Sequence, residues 1–138
     1  MTNDSPDDIE KEIDNEIDIG ETLGDLERQV FRAVRGAPAS VADVASALAR
    51  EARPLAYTTV MTVMTRLWEK GYLARHQEGR AYVYEARPEQ EIARDLGGRA
   101  AREAIAKFGA PALTGFVETL SAEQRALVAR LLEEGERE

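Results

Sequence analysis

The chain has 138 residues, is 43% hydrophobic and 32% charged, and carries a formal net charge of −8 with no cysteine. Its length suits one compact domain with an appendage, and the missing cysteines exclude disulfides, thiolate metal sites and a cysteine nucleophile. No run approaches the roughly 20 apolar residues of a membrane span and the N-terminus is acidic, the opposite of a secretory signal, so a soluble cytoplasmic protein is expected.

The acidity is unevenly spread. Residues 1–27 hold 11 acids and one lysine, residues 28–87 hold 5 acids and 10 bases, and residues 88–138 hold 10 acids and 7 bases. Only the middle segment is positive, and association with a polyanion depends on that local field rather than on the whole-chain balance.

In chain order, residues 1–20 form an acidic extension. Ile9, Ile13 and Ile17 recur every fourth residue, and Ser5, Pro6 and Asp8 resemble a helix start with Gly20 as its stop. A helix with so thin a stripe is marginal alone, so a short helix and a disordered arm both remain open. A sharper possibility is that the arm docks on the basic segment and competes there with nucleic acid.

Residues 21–87 read as one domain. Leu23, Leu26, Val30, Phe31 and Val34 have helical spacing, ended by Gly36 and Pro38. Ser40 and Asp43 mark a second helix start, with Val41, Val44, Ala45 and Leu48 as its apolar face. Arg50, Arg53 and Pro54 occupy the connection, and Pro54 disfavours helical geometry at Arg53.

The stretch AYTTVMTVMTRLWEKGYL, from Ala56 to Leu73, organises the rest. Wound as a helix, it places Val60, Val63, Met64, Leu67 and Trp68 on one side, and Thr58, Thr59, Thr62, Thr65, Arg66 and Glu69 on the other. Threonine loses rotamer freedom in a helix, so four on one face ask for a reason. Their hydroxyls can bond phosphate or base edges and their methyls can pack on thymine, which suits the floor of a DNA groove. The alternative is an ordinary surface helix that tolerates threonine. Gly71 should end the helix in the left-handed position.

LARHQEGRAYVYEA then reads as a β-hairpin with Gly79 in the turn, Tyr82 and Tyr84 on one side, and Arg75, His76 and Arg80 clustered near the tip. Helix, helix, threonine-rich helix and basic hairpin is the order of a winged helix-turn-helix. The fold expected is therefore mainly α with a small β-wing.

Residues 88–138 carry three further helical patterns, at about Glu89–Phe108, Pro111–Leu120 and from Ser121 onward. Gly97 and Gly98 interrupt the first, which predicts a kink or the close approach of another backbone. Leu113, Phe116, Val117 and Leu120 share a face of the second; Leu127, Val128, Leu131 and Leu132 are the apolar positions of the third. So many stripes cannot all fold onto one small winged domain, and a two-fold dimer is the economical way to bury them. This segment reads as a C-terminal helical dimerisation domain.

From about Leu23 to Glu134 the chain resembles the penicillinase-repressor family of bacterial transcription regulators, the BlaI/MecI type. The residues that carry the resemblance are LGDLE, AYTTVMTVMTRLWEKGYL, EGRAYVYEA and GFVETLSAEQ with the leucine-rich last helix. It implies a homodimeric repressor on palindromic promoter operators, its partner double-stranded DNA. Carried over by position, it implies that Thr58, Thr59, Thr62 and Arg66 read the groove, with Met61 at the edge where some members place a polar or basic side chain. Arg80 would reach a phosphate or the minor groove, and Tyr57 the backbone. Tyr57, Tyr82 and Tyr84 could instead pack between wing and core, Tyr84 above all.

Some members are inactivated when a membrane metalloprotease receptor cuts an Asn-Phe bond. Here the matching pair is Gly115 and Phe116, of which only Phe116 agrees, and Phe116 could equally be core. The copper-responsive branch uses a cysteine cluster, which is absent here.

No cofactor or metal is expected. His76 is the sole histidine, Glu78 beside it forms no clear dyad, and there is no phosphate-binding glycine loop, so nothing suggests an enzyme. The competing class of function is a winged-helix protein-interaction module whose acidic arm binds the partner.

Overall fold

A computed structural model of the chain describes residues 18–136. The helix start at Ser5 and the Ile9, Ile13, Ile17 stripe, like the docking of the acidic arm, lie outside those residues. Gly20 sits inside a 3-10 turn, Ile19–Thr22. The elements that follow are α1 (Asp25–Val34), α2 (Val41–Arg50), α3 (Tyr57–Glu69), β1 (Leu73–Glu78), β2 (Ala81–Ala86), α4 (Glu89–Phe108), α5 (Ala110–Thr119) and α6 (Ala122–Glu136). Residues 18–95 form one compact unit and residues 96–136 belong to a second.

The first unit is built around α3. Val60, Val63, Met64 and Leu67 are fully or almost fully buried against Val30, Phe31 and Val34 of α1 and Val44 and Leu48 of α2. Burying each such side chain contributes about 1.5–3 kcal/mol before chain entropy is charged against it. Phe31 meets Tyr72 edge to face, with ring centroids 6.0 Å apart, and the Tyr72 hydroxyl lies 2.7 Å from Thr22 Oγ1. The 3-10 turn is thereby tied to the chain that leaves α3.

Two positions depart from the helical stripes. Leu26 and Trp68 are surface residues, 36% and 38% exposed. At about 100° per residue, Trp68 falls about a quarter-turn from the centre of the stripe defined by Val60 and Leu67. Leu26 lies in the first turn of α1.

Local chemistry sets the helix ends. The Ser40 amide donates to Asp43 Oδ2 (3.0 Å) while the Asp43 amide donates to Ser40 Oγ (3.1 Å), a reciprocal capping box. The backbone and then the side chain of Ser40, both bonded to Asp43, hold its carboxyl below the usual carboxylate range. Ser121 and Gln124 repeat the arrangement ahead of α6, at 2.9 and 3.1 Å.

The C-termini of α2 and α3 close the same way with different residues. After α3, Gly71 takes φ 88° while the Tyr72 and Gly71 amides donate to the Leu67 and Trp68 carbonyls. After α2, the Arg53 and Ala52 amides donate to the Leu48 and Ala49 carbonyls, and Ala52 takes φ 59°. Both are Schellman closures, but alanine in the left-handed region costs about 1 kcal/mol that glycine does not. The chain therefore turns at Ala52, one residue ahead of Arg53, where Pro54 disfavours helical geometry. Ala52→Gly is expected to stabilise the first unit by up to about 1 kcal/mol, less the entropy that glycine adds to the unfolded chain, read as a higher denaturation midpoint.

The hairpin is a regular antiparallel pair from Leu73↔Ala86 to Glu78↔Ala81. Gly79 supplies φ 61° at the first position of its two-residue turn. Ala39 adds a bridge to Tyr84 (Ala39 N–H to Tyr84 O 2.9 Å, Tyr84 N–H to Ala39 O 2.8 Å), which pins β2 to the α1–α2 connection. Arg87, just past β2, donates to the Gly71 carbonyl at 2.6 Å and pairs with Asp95 at 2.8 Å, and Ile92 is buried; these hold the first turns of α4 on the same unit.

The second unit differs in character. α4 runs unbroken through Gly97 and Gly98, and no described backbone lies within 4 Å of a Cβ added at either. Among the described residues no backbone makes the close approach, and the helix continues through both glycines. The flanking Ala100, Ala101 and Ala104 favour helix strongly enough to offset about 1 kcal/mol per glycine. α5 and α6 contain no buried residue. Ile105, Phe108, Leu113, Phe116, Val117, Leu131 and Leu132 are each at least 41% exposed, while Leu120, Leu127 and Val128 are half-buried.

Candidate nucleic-acid interface

The face of α3 opposite its buried stripe lies open. Thr58, Thr62 and Arg66 are exposed and Thr59 is half-buried; Tyr57 and Met61, exposed by 55% and 43%, flank them. Thr62 Oγ1 donates to the Thr58 carbonyl and Thr65 Oγ1 to the Met61 carbonyl, each at 2.9 Å. The Thr62 proton is thus used within the helix, and what it offers outward is an acceptor oxygen and a methyl. Arg66 forms no ion pair among the described residues, with Glu69 or any other acid.

The N-terminus of α3 is chemically open as well. Its N-cap is Ala56, with no side-chain cap and no acid in the first turn, whereas α2 is capped by Ser40. The first amides of α3 point outward with the positive end of the helix dipole and suit a phosphate oxygen.

The bases of the positive segment divide into two sets. Arg28 donates to backbone carbonyls, Arg35 pairs with Glu89, Lys70 with Glu27 (2.8 Å), and Arg87 with Asp95 and Glu91. These hold the fold together. Arg32, Arg50, Arg53, Arg66 and Arg80 are exposed and make no ion pair among the described residues. Arg32 lies on α1, Arg50 closes α2, Arg53 follows it in the connection, Arg66 lies on α3 and Arg80 in the hairpin turn. Arg50 and Arg53 flank Glu51 in sequence, yet neither is ion-paired with it among the described residues.

On the hairpin, Tyr84 is buried and Tyr82 is 42% exposed on the same side, their centroids 6.4 Å apart. Arg75 is not at the tip. It lies on that inner side opposite Tyr84, its guanidinium stacked on Trp68 and Tyr82. His76 faces outward and contacts Glu78 at 2.9 Å, which leaves Arg80 as the tip's cation without an ion pair among the described residues. Gly115 and Phe116 lie in the interior of α5, both exposed, and a Cβ at Gly115 would meet nothing within 4 Å.

Two packed helices, a third with an open polar and cationic face, and a two-stranded hairpin behind it define a winged helix-turn-helix protein. The chain belongs to the penicillinase repressor family, whose model matches residues 23–134. It is similar to the transcriptional regulator BlaI of Mycobacterium tuberculosis, with 45% identity over 64 residues, covering 45% of this chain and 46% of that protein. The chain thus spans about half the length of the curated relatives it matches. Among solved structures, similarity is found to BpsR of Bordetella bronchiseptica (TM-score 0.42, 23% identity, 84% of this chain and 77% of that one). NolR from Sinorhizobium fredii has TM-score 0.42 and 13% identity over 80% of this chain and 99% of that one.

Proposed function

We propose that the chain is a homodimeric transcriptional repressor that binds palindromic promoter operators in double-stranded DNA. The observation that carries this is the open face and uncapped N-terminus of α3, together with exposed arginines that make no ion pair among the described residues, of which Arg66 lies on α3, Arg50 and Arg53 just before it and Arg80 at the wing tip. In this reading α3 lies in the major groove, where Thr58, Thr59, Thr62 and Arg66 meet base edges and Tyr57 and Met61 border them. Arg50, Arg53 and Arg80 hold phosphates, and a dimer places two such helices about one turn of duplex apart.

Six phosphate contacts from the two protomers predict a slope of about −5 in log affinity against log salt. Fluorescence anisotropy on the protein's own promoter fragment, over a salt series and against random duplex, measures it. A flat salt dependence, or equal affinity for both duplexes, would rule the reading out.

Release by a regulatory membrane metalloprotease receptor, cutting between Gly115 and Phe116, belongs to the same proposal. Phe116 fits the family's cleavage pattern and Gly115 does not. The bond lies within α5, so a protease would have to unwind that helix to reach it.

A further inference from the structure

From His76 to Tyr82 every residue of the hairpin is exposed, so the outer half of the wing projects beyond the body of its unit. The last tie before this projection is Arg75. Its Cζ lies 3.5 Å from the centroid of the Trp68 ring, 4.0 Å from Tyr82 and 5.9 Å from Tyr84, and its Nη1 donates to the Tyr84 hydroxyl at 3.3 Å. Trp68 sits on α3 and the tyrosines on β2, so one guanidinium joins the last turns of α3 to both strands. A planar cation held by several ring faces resists tilting in a way that a flexible ammonium does not. Trp68, an aromatic residue outside the buried stripe, thereby has a structural role.

We propose that Arg75 is a positioning residue: clamped between Trp68 and Tyr82, it sets the angle at which the wing leaves α3, and so whether Arg80 reaches the duplex while α3 occupies the groove. Arg75 need not touch DNA for this. The inference rests on the DNA-binding reading above.

The test is a double-mutant cycle on the full-length protein, with affinity for the promoter fragment measured for wild type, Arg75→Gln, Arg80→Ala and the pair. Arg80→Ala in the wild-type background is expected to weaken binding about fivefold on every sequence, as loss of one phosphate contact does. In the Arg75→Gln background the same change should cost less than about twofold, because the wing is no longer held where Arg80 can act. Trp68, the sole tryptophan, reports the clamp independently, and Arg75→Gln should raise its quenching by acrylamide. Should Arg75→Gln fail to fold, Trp68→Leu removes one ring without changing charge and must give the same non-additivity with Arg80→Ala. Additive losses, or unchanged Trp68 quenching in Arg75→Gln, overturn the role of Arg75. A wild-type protein with no preference for its promoter overturns the DNA-binding reading instead, which separates the two failures.

Discussion

Replacing Thr62 and Arg66 together by alanine is expected to erase most of the protein's preference for its operator while leaving its hold on random duplex nearly intact. The two lie one helical turn apart on the exposed side of α3, and neither contributes to the core. Arg66 carries a fork of donors on that face and makes no ion pair among the described residues, so it is the candidate for a bidentate base contact worth about 1–3 kcal/mol of discrimination. Thr62 has given its proton to the Thr58 carbonyl, so it must act through its oxygen as an acceptor or through its methyl. Thr62→Val separates these, since it keeps a methyl and loses the oxygen. A variant that discriminates like wild type identifies thymine packing as the contact, and one that behaves like Thr62→Ala identifies a hydrogen bond. The ratio of specific to random affinity should fall by roughly 10²-fold in the Thr62→Ala, Arg66→Ala protein. Arg50→Ala, by contrast, should lower both affinities together and reduce the salt slope by about 1 per protomer. If the double variant kept its preference, α3 would not be the reading element.

The parts of this architecture that local chemistry dictates could be read from the sequence. Ser40 with Asp43 and Ser121 with Gln124 announce their helices because a capping box involves residues only three apart. Gly71 and Gly79 mark turns because few other residues tolerate their φ, and the exposure of Thr58, Thr62 and Arg66 follows from period alone. What escaped was set between elements. Trp68 reads as core because it borders an apolar stripe, yet its partner is a guanidinium that arrives only when the hairpin docks. Arg75 reads as a tip charge because it is near the turn in sequence, whereas strand alternation turns it inward beside Tyr84. Ala52 carries no sign of the left-handed conformation it adopts, since alanine is there against its own preference. The standing of Arg50 and Arg53 depends on which cations find acids in space, a question no linear pattern answers.

Substituting aspartate for both Phe116 and Leu132 is expected to convert the protein to a monomer and to lower its affinity for a full palindrome by at least about 10²-fold. Seven large apolar side chains of α4, α5 and α6 lie exposed in the single chain, a concentration that a stable soluble monomer does not normally display. Their open surface, on the order of 600 Å², approaches the roughly 800 Å² per partner of a standard protein interface. Phe116 and Leu132 are 57% and 65% exposed, so neither substitution removes a core contact, whereas each would place a charge in the centre of a buried patch. The first unit has its own core around α3, so its thermal transition should be unaffected, and circular dichroism can verify that. Affinity for an isolated half-site should likewise match that of wild type, because α3 and the exposed arginines of the first unit are untouched. Sedimentation velocity then distinguishes the alternatives: a wild type that sediments as a monomer, or a variant that remains a dimer, removes the apolar face as the means by which two reading helices are brought to one duplex. A variant that is monomeric yet binds the full palindrome as tightly as wild type would show that pairing before binding contributes nothing to affinity. The expected result, weak binding to the palindrome beside unchanged binding to the half-site, isolates the term that avidity supplies.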